Sequence, residues 1–256
     1  MLDLADVDQV ERLLRDLEPA TVVQLTGGIA SDAVRLVEIN LVPTVNLLRA
    51  AARLDPSPVI FVTGSAAEYG DPGSSPASED ISLHPVSPYG WIKLAETAIA
   101  LEMGRRHDLD VTVTRPFNPI MPDLPVTTAL GNFRDQILAG EGSSRSVICG
   151  NVEVIRDFVS GAFIGEAIAK LIESPPGGVV NICSGVGLRL AEVMDAAAEL
   201  LGVAVEFEQD SELMELPAPA VVIGDPSRLN TLTKARALST PEYLAAELMG
   251  RPQELR

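Results

Sequence analysis

Apolar and polar positions follow two rhythms along this chain. Val7, Val10, Leu13, Leu14 and Leu17 recur at helical spacing, which predicts a helix over 6–17. Thr21-Val-Val-Gln-Leu25 is a short β-branched run that predicts a buried strand ending in Thr26-Gly27-Gly28. Leu41, Val45, Leu48 and Ala52 share one side of a helix predicted over 36–53, with Pro43 in its early turns, where a proline costs less. Val59-Ile-Phe-Val-Thr63 predicts the next strand and Val111-Thr-Val-Thr114 a further one, with a long helix over 89–106 between them. Residues 71–88 are rich in Pro, Gly, Ser and Asp and predict a surface loop.

Beyond about residue 128 the elements shorten. The loop 119–128 holds three prolines. Helices are expected at 129–139, 162–173 and 190–201, and short strands near 147–149, 179–182 and 204–207. Strands alternating with helices predict an α/β fold with a mostly parallel sheet. Residues 1–128 would form the main body, with later returns from the C-terminal half, and 129–256 mainly a smaller lobe at the carboxyl edge of the sheet. In open sheets of this kind, ligands bind at the carboxyl ends of the strands.

Composition narrows the function. Nineteen Lys and Arg against thirty-six Asp and Glu give a formal charge of −17. Phosphate backbones are bound by Lys and Arg, so nucleic acid is a poor partner, and anionic lipid for the same reason. No apolar run reaches the ~18–20 residues of a membrane helix, and the acidic N-terminus lacks the basic start of a signal peptide. Cys149 and Cys183 are the only cysteines, so no disulfide framework is expected and a reducing, cytoplasmic location is the default. His84 and His107 have no third ligand at metal spacing, so no metal site is expected.

Three polar groups stand out near the strand ends. Ser65 follows the strand 59–63. Tyr89 and Lys93, in Tyr89-Gly-Trp-Ile-Lys93, are four residues apart and so share a helix face. An ammonium beside a phenol favours the phenolate, which suits a phenol to exchange a proton with a substrate hydroxyl or carbonyl. A serine hydroxyl alongside would hold the same oxygen. No Gly-x-Ser-x-Gly elbow is present, which disfavours a serine hydrolase.

These segments, in order, resemble the extended short-chain dehydrogenase/reductase family, the sugar-nucleotide epimerases and dehydratases. Gly64-Ser-Ala-Ala-Glu-Tyr-Gly70 resembles the family's Ser/Thr segment, and Ser87-Pro-Tyr-Gly-Trp-Ile-Lys93 its Tyr-x-x-x-Lys segment with a Ser-Pro lead. Arg115-Pro-Phe-Asn118, Phe133-Arg-Asp-Gln-Ile137, Arg156-Asp-Phe158, Val180-Asn-Ile-Cys-Ser-Gly185 and Gly224-Asp-Pro-Ser-Arg228 are similar to later family segments. The resemblance implies a Rossmann-like parallel sheet with a small C-terminal substrate lobe, and a catalytic set of Ser65, Tyr89 and Lys93. Lys93, Tyr89 and Pro116 would face an NAD or NADP cofactor. Glu68, Asn118, Arg156 and Arg228 would face the substrate, a nucleotide sugar or a related natural-product intermediate. Epimerisation, dehydration and keto reduction are all open to that chemistry. A dehydratase would want an extra acid pair beside the hydroxyl motif, and here Glu68 is preceded by Ala67.

The family's opening strand, Gly-x-x-Gly-x-x-Gly turn and helix, which bring backbone amides to the pyrophosphate, have no counterpart upstream of Ser65. Met1-Leu-Asp-Leu-Ala-Asp6 resembles a later family segment, so the Rossmann-like body is expected to be truncated by roughly 55–65 residues, the size of two βα units. Most of the adenine and pyrophosphate site would then be missing. An open sheet edge would call for a covering partner or a second copy, hence a homo-oligomer or partner subunit. Two other readings follow: a cofactor-independent isomerase, lyase or cyclase on the same scaffold, and a non-catalytic partner subunit.

Overall fold

A computed structural model of the chain describes residues 2–73, 75–215 and 218–251. Helix α1 (Val7–Leu17) starts where the Asp6 carboxylate accepts from the N–H groups of Asp8 and Gln9. It ends on Glu18 in the left-handed region, with φ 43°. Strand β1 (Thr21–Gln24) follows. The stretch read as one helix over 36–53 is three pieces: α2 (Ala33–Leu36), a π-helical turn (Val37–Leu41) and α3 (Val42–Ala51). Pro43 has no N–H to close an ordinary turn, and the wider turn falls just ahead of it. Asn40, inside that turn, donates to the carbonyls of Leu36 and Gly28 and accepts from Gly28 N–H.

Strand β2 (Val59–Thr63) leads into a 3₁₀ turn (Ala66–Glu68). The long helix α4 (Pro88–His107) is capped by Ser87, with Pro88 in its first turn and Arg105, Arg106 and His107 in its last. Strands β3 (Val111–Pro116) and β4 (Pro119–Ile120) follow, then helix α5 (Ala129–Ala139) and strands β5 (Ser144–Cys149), β6 (Ile155–Asp157) and β7 (Val159–Ser160). Helix α6 (Gly161–Glu173) runs into β8 (Gly178–Ile182), and then come β9 (Gly187–Arg189), α7 (Leu190–Leu201) and β10 (Ala204–Gln209). The chain closes with α8 (Ser211–Met214), β11 (Val221–Val222), α9 (Ser227–Thr233) and α10 (Pro241–Leu248).

The main sheet has the order β1-β2-β3-β8, every pair parallel, with Val22 beside Ile60, Phe61 beside Thr112 and Thr114 beside Val180. Alternation along β2 sends Ile60 and Val62 to one face and Phe61 to the other. The first face packs Val10 and Leu14 of α1, Leu47 and Leu48 of α3, and Ala100 of α4. The second packs Phe163, Ile168 and Leu171 of α6 and Leu229 of α9. The strand expected at 179–182 thus belongs to the main sheet, because α6 carries the chain back across its face. A separate cluster joins α5, α7 and α10 around Phe133, Ile137, Met194 and Leu244, beside the parallel pair β5–β10. None of the described helices is long and apolar enough to cross a membrane. All four main strands end on one side, at Gln24, Thr63, Pro116 and Ile182, and the candidate site is built there.

Candidate functional site

Ser65 sits in extended backbone just past β2 and starts the 3₁₀ turn. Its Oγ accepts from Ala67 N–H at 3.2 Å, while its own N–H donates to Glu68 Oε1 at 2.8 Å. Gly64 makes this possible. A Cβ there would lie 2.5 Å from Glu68 Oε1 and 3.2 Å from the Thr114 carbonyl.

Helix α4 is seated directly on that turn. Gly90 has no side chain, and a Cβ at that position would lie 2.5 Å from the Ala67 carbonyl oxygen. Tyr89 is half-buried beside it, and its hydroxyl makes no hydrogen bond among the described residues. One turn further on, Lys93 is buried, with 3% exposure. Its Nζ donates to the Thr63 carbonyl and to Glu96 Oε2, both at 2.5 Å. The helix bearing Tyr89 and Lys93 and the strand end bearing Ser65 are therefore joined at two points, Gly90 on Ala67 and Lys93 on Thr63.

Glu96 was not singled out by sequence reasoning, although the signal was present: a second charge three residues from Lys93, on a helix face that turns inward. Burial pushes its carboxyl above the usual range, and the Lys93 ammonium opposes that shift. Thr44 Oγ1 donates to Glu96 Oε1 at 2.6 Å.

Glu68 is fully buried. Its Oε1 holds Ser65 N–H, and its Oε2 accepts from Arg115 Nε at 2.9 Å and Nη2 at 2.8 Å. Both oxygens are thus occupied within the fold, and the carboxylate expected at the substrate instead holds the Ser65 turn. Burial raises its carboxyl, with the Arg115 guanidinium opposing. Arg115 also donates to Tyr69 Oη at 3.1 Å, and that hydroxyl donates to Asn181 Oδ1 at 2.7 Å. Burial pushes the Tyr69 phenol up to about 12. This phenol is an internal strut, whereas the half-buried Tyr89 keeps its hydroxyl unengaged among the described residues.

The remaining expected residues divide. Pro116 ends β3 at the carboxyl rim and is half-buried. Asn118, with φ 26°, donates from Nδ2 to the Asp157 carbonyl at 2.7 Å. Arg156 lies at the same rim, with Nη1 on the Ile155 carbonyl at 2.8 Å. Arg228 is not brought to this rim. Its Nη2 lies 3.3 Å from the Gly177 carbonyl, at the amino end of β8 and so at the far end of the sheet.

A nicotinamide dinucleotide fits these residues at its reactive end. The Tyr89 hydroxyl is unengaged, Ser65 keeps its own hydroxyl proton, and Lys93 has a third N–H beyond the two in use. At the pyrophosphate end the described residues offer less. The Gly27-Gly28 turn after β1 is closed by the Asn40 side chain, and a Cβ at Gly27 would lie 2.7 Å from Asn40 Oδ1.

A model of the NAD dependent epimerase/dehydratase family matches residues 1–183. The chain is 29% identical over 242 residues to GDP-6-deoxy-D-mannose reductase of Pseudomonas aeruginosa, covering 90% of this chain and 79% of that protein. It is 25% identical over 236 residues to GDP-6-deoxy-D-talose 4-dehydrogenase of Aggregatibacter actinomycetemcomitans, covering 89% and 78%. The structure of RMD from Pseudomonas aeruginosa complexed with NADPH superposes with a TM-score of 0.85 at 27% identity, over 98% of this chain and 85% of that one.

Proposed function

The chain belongs to the NAD dependent epimerase/dehydratase family, and from that premise we propose that it oxidises or reduces a carbon–oxygen centre of a nucleotide-activated deoxysugar. Tyr89 is the acid/base in this reading, Ser65 orients the reacting oxygen, and Lys93 supports the phenol. The observation that carries it is the seating of α4 on the Ser65 turn. It holds an unengaged phenol and a hydroxyl at the carboxyl end of the sheet.

When bound, a nicotinamide dinucleotide supplies or accepts the hydride. The chain's own residues handle the proton. As a sugar carbonyl carbon gains hydride, Tyr89 gives its phenolic proton to the carbonyl oxygen and is reprotonated from solvent. In the oxidative direction Tyr89 acts once it has given its own proton to solvent, and as the phenolate it takes the proton of the sugar hydroxyl. The Ser65 hydroxyl donates a hydrogen bond to the same oxygen and concentrates the developing charge between two donors. Asn118 and Arg156, beside Asp157 at the rim, are the groups this reading offers to the nucleotide portion of the substrate.

Redox exchange is favoured over loss of water by one feature of the turn. Elimination needs an acid and a base beyond the phenol. Position 67 carries only a methyl group, and the Glu68 carboxylate is fully engaged by Arg115 and Ser65. The two relatives described above, a reductase and a 4-dehydrogenase, agree with that choice.

The experiment is turnover of GDP-6-deoxy-D-mannose with NADP⁺ or NAD⁺, followed by nicotinamide absorbance. Activity that falls by about 10²–10⁴-fold in Tyr89→Phe, with unchanged thermal stability, supports the assignment. Activity retained in Tyr89→Phe refutes it.

A further inference from the structure

We infer that Glu96 is a positioning residue for Lys93, clamping its amine against the Thr63 carbonyl through a relay that reaches from α4 across α3 to β1. The inference rests on the proposed role of Lys93 at the site, and it assigns a function to a charge that role does not itself use.

The relay is continuous. Gln24 Nε2 at the end of β1 donates to Thr44 Oγ1 at 2.8 Å. The Thr44 hydroxyl has one proton and two acceptors within reach, Glu96 Oε1 at 2.6 Å and the Asn40 carbonyl at 3.1 Å. The shorter contact, to an ionised acceptor, is the stronger hydrogen bond. Glu96 Oε2 then accepts from Lys93 Nζ, which also reaches the Thr63 carbonyl on β2. Thr44, Glu96 and Lys93 all have 3% exposure or less. Lys93 is the one charged group among the described residues whose field bears on Glu96, and the neighbours from α3, β1 and β2 are neutral.

Magnitude argues against a purely stabilising role. A buried ion pair is about as stable as two apolar side chains of the same volume, because desolvation offsets the attraction. What the carboxylate adds is direction. With Thr63 on one side and Glu96 on the other, the Lys93 amine has two of its three N–H vectors fixed, so the third is fixed as well. A lysine held only by Thr63 would sweep a cone of orientations on its four-carbon stem.

The chain has three lysines, Lys93, Lys170 and Lys234, which allows a readout independent of substrate. Acylation with an amine-reactive ester, followed by mass spectrometry of each lysine peptide, should label exposed Lys234 and half-buried Lys170 faster than Lys93. In Glu96→Gln the Lys93 rate should rise by about tenfold while the other two stay constant. With the deoxysugar substrate, kcat should fall by about tenfold and KM should stay within about twofold. A wild-type Lys93 rate in Glu96→Gln overturns the inference. If that variant does not fold, Thr44→Val keeps the Glu96 carboxylate and removes the hydrogen bond to Oε1 together with the one Thr44 receives from Gln24. A rise of about two- to threefold at Lys93 then supports the relay, and no rise overturns it. The underlying site reading fails separately: if Tyr89→Phe retains turnover while Glu96→Gln releases Lys93, the clamp stands and the acid–base assignment falls.

Discussion

Substituting Gly90 by alanine separates position from stability at this site. The new Cβ would lie 2.5 Å from the Ala67 carbonyl oxygen and 3.1 Å from Pro85 Cβ. That is about 0.9 Å short of ordinary van der Waals contact with a backbone atom that cannot rotate away. The first turn of α4 has to lift from the Ser65 turn by most of that distance. Overpacking costs ~1–3 kcal/mol, and alanine returns ~1 kcal/mol of helix propensity. The net loss, ~0–2 kcal/mol, lowers Tm by only a few degrees in a chain of this size. Turnover responds differently, because misplacing reacting groups by about 1 Å costs on the order of 10²-fold. The expected signature is a small thermal shift with a large fall in kcat, read by differential scanning calorimetry and by the dinucleotide absorbance assay on the same preparation. Turnover within about twofold of wild type would refute the claim that this close approach sets the geometry.

Further outcomes follow from the buried charges. Arg115→Met leaves Glu68 buried without its cation and should cost ~3–5 kcal/mol in urea denaturation at neutral pH; adding Glu68→Gln should recover part of that loss, and no recovery would count against the pairing. Burial raises the carboxyls of Glu68, Glu96 and Asp157 in the folded chain. The folded state therefore holds more protons than the unfolded state between the ordinary carboxylate range and the raised values, and stability should decline as pH rises through that window. Urea midpoints across mildly acidic to neutral pH measure this, and a midpoint that climbs steadily towards neutrality would contradict it. Asp157→Asn should flatten the slope.

The long elements were legible because their burial is periodic. Val10 and Leu14 of α1, the Val59–Thr63 run and the stripe on α7 each declare one apolar face, and the caps at Asp6 and Ser87 mark helix starts. The π-helical turn at 37–41 was not legible, since apolar spacing across it still reads as one helix and only Asn40 in its folded setting explains the widening. Strands β6, β7, β9 and β11 are two or three residues long, too short to carry a period. Ser65, Tyr89 and Lys93 stand out through local spacing, and the fold joins the two segments that carry them. Glu68 was read as a substrate contact because its partner Arg115 lies 47 positions away and meets it only in three dimensions. The position of Arg228 is hidden from local sequence in the same way, since its contact with Gly177 at the amino end of β8 depends on how α9 lies along the sheet.

Asp157 has a wider consequence. One buried carboxylate, with no cation beside it among the described residues, accepts from Ser184 N–H and Oγ–H through Oδ1, and from the N–H groups of Gly185 and Gly224 through Oδ2. Its own carbonyl receives Asn118. Three loops from distant stretches of the chain are knotted at a single residue, so they cannot be tuned one by one. Altering any of them strains the other two, and the Pro- and Ser-rich 71–88 segment is drawn into the same knot, because Ala77 N–H donates to the Ile223 carbonyl and the Ala77 carbonyl accepts from Asp225 N–H, on either side of Gly224.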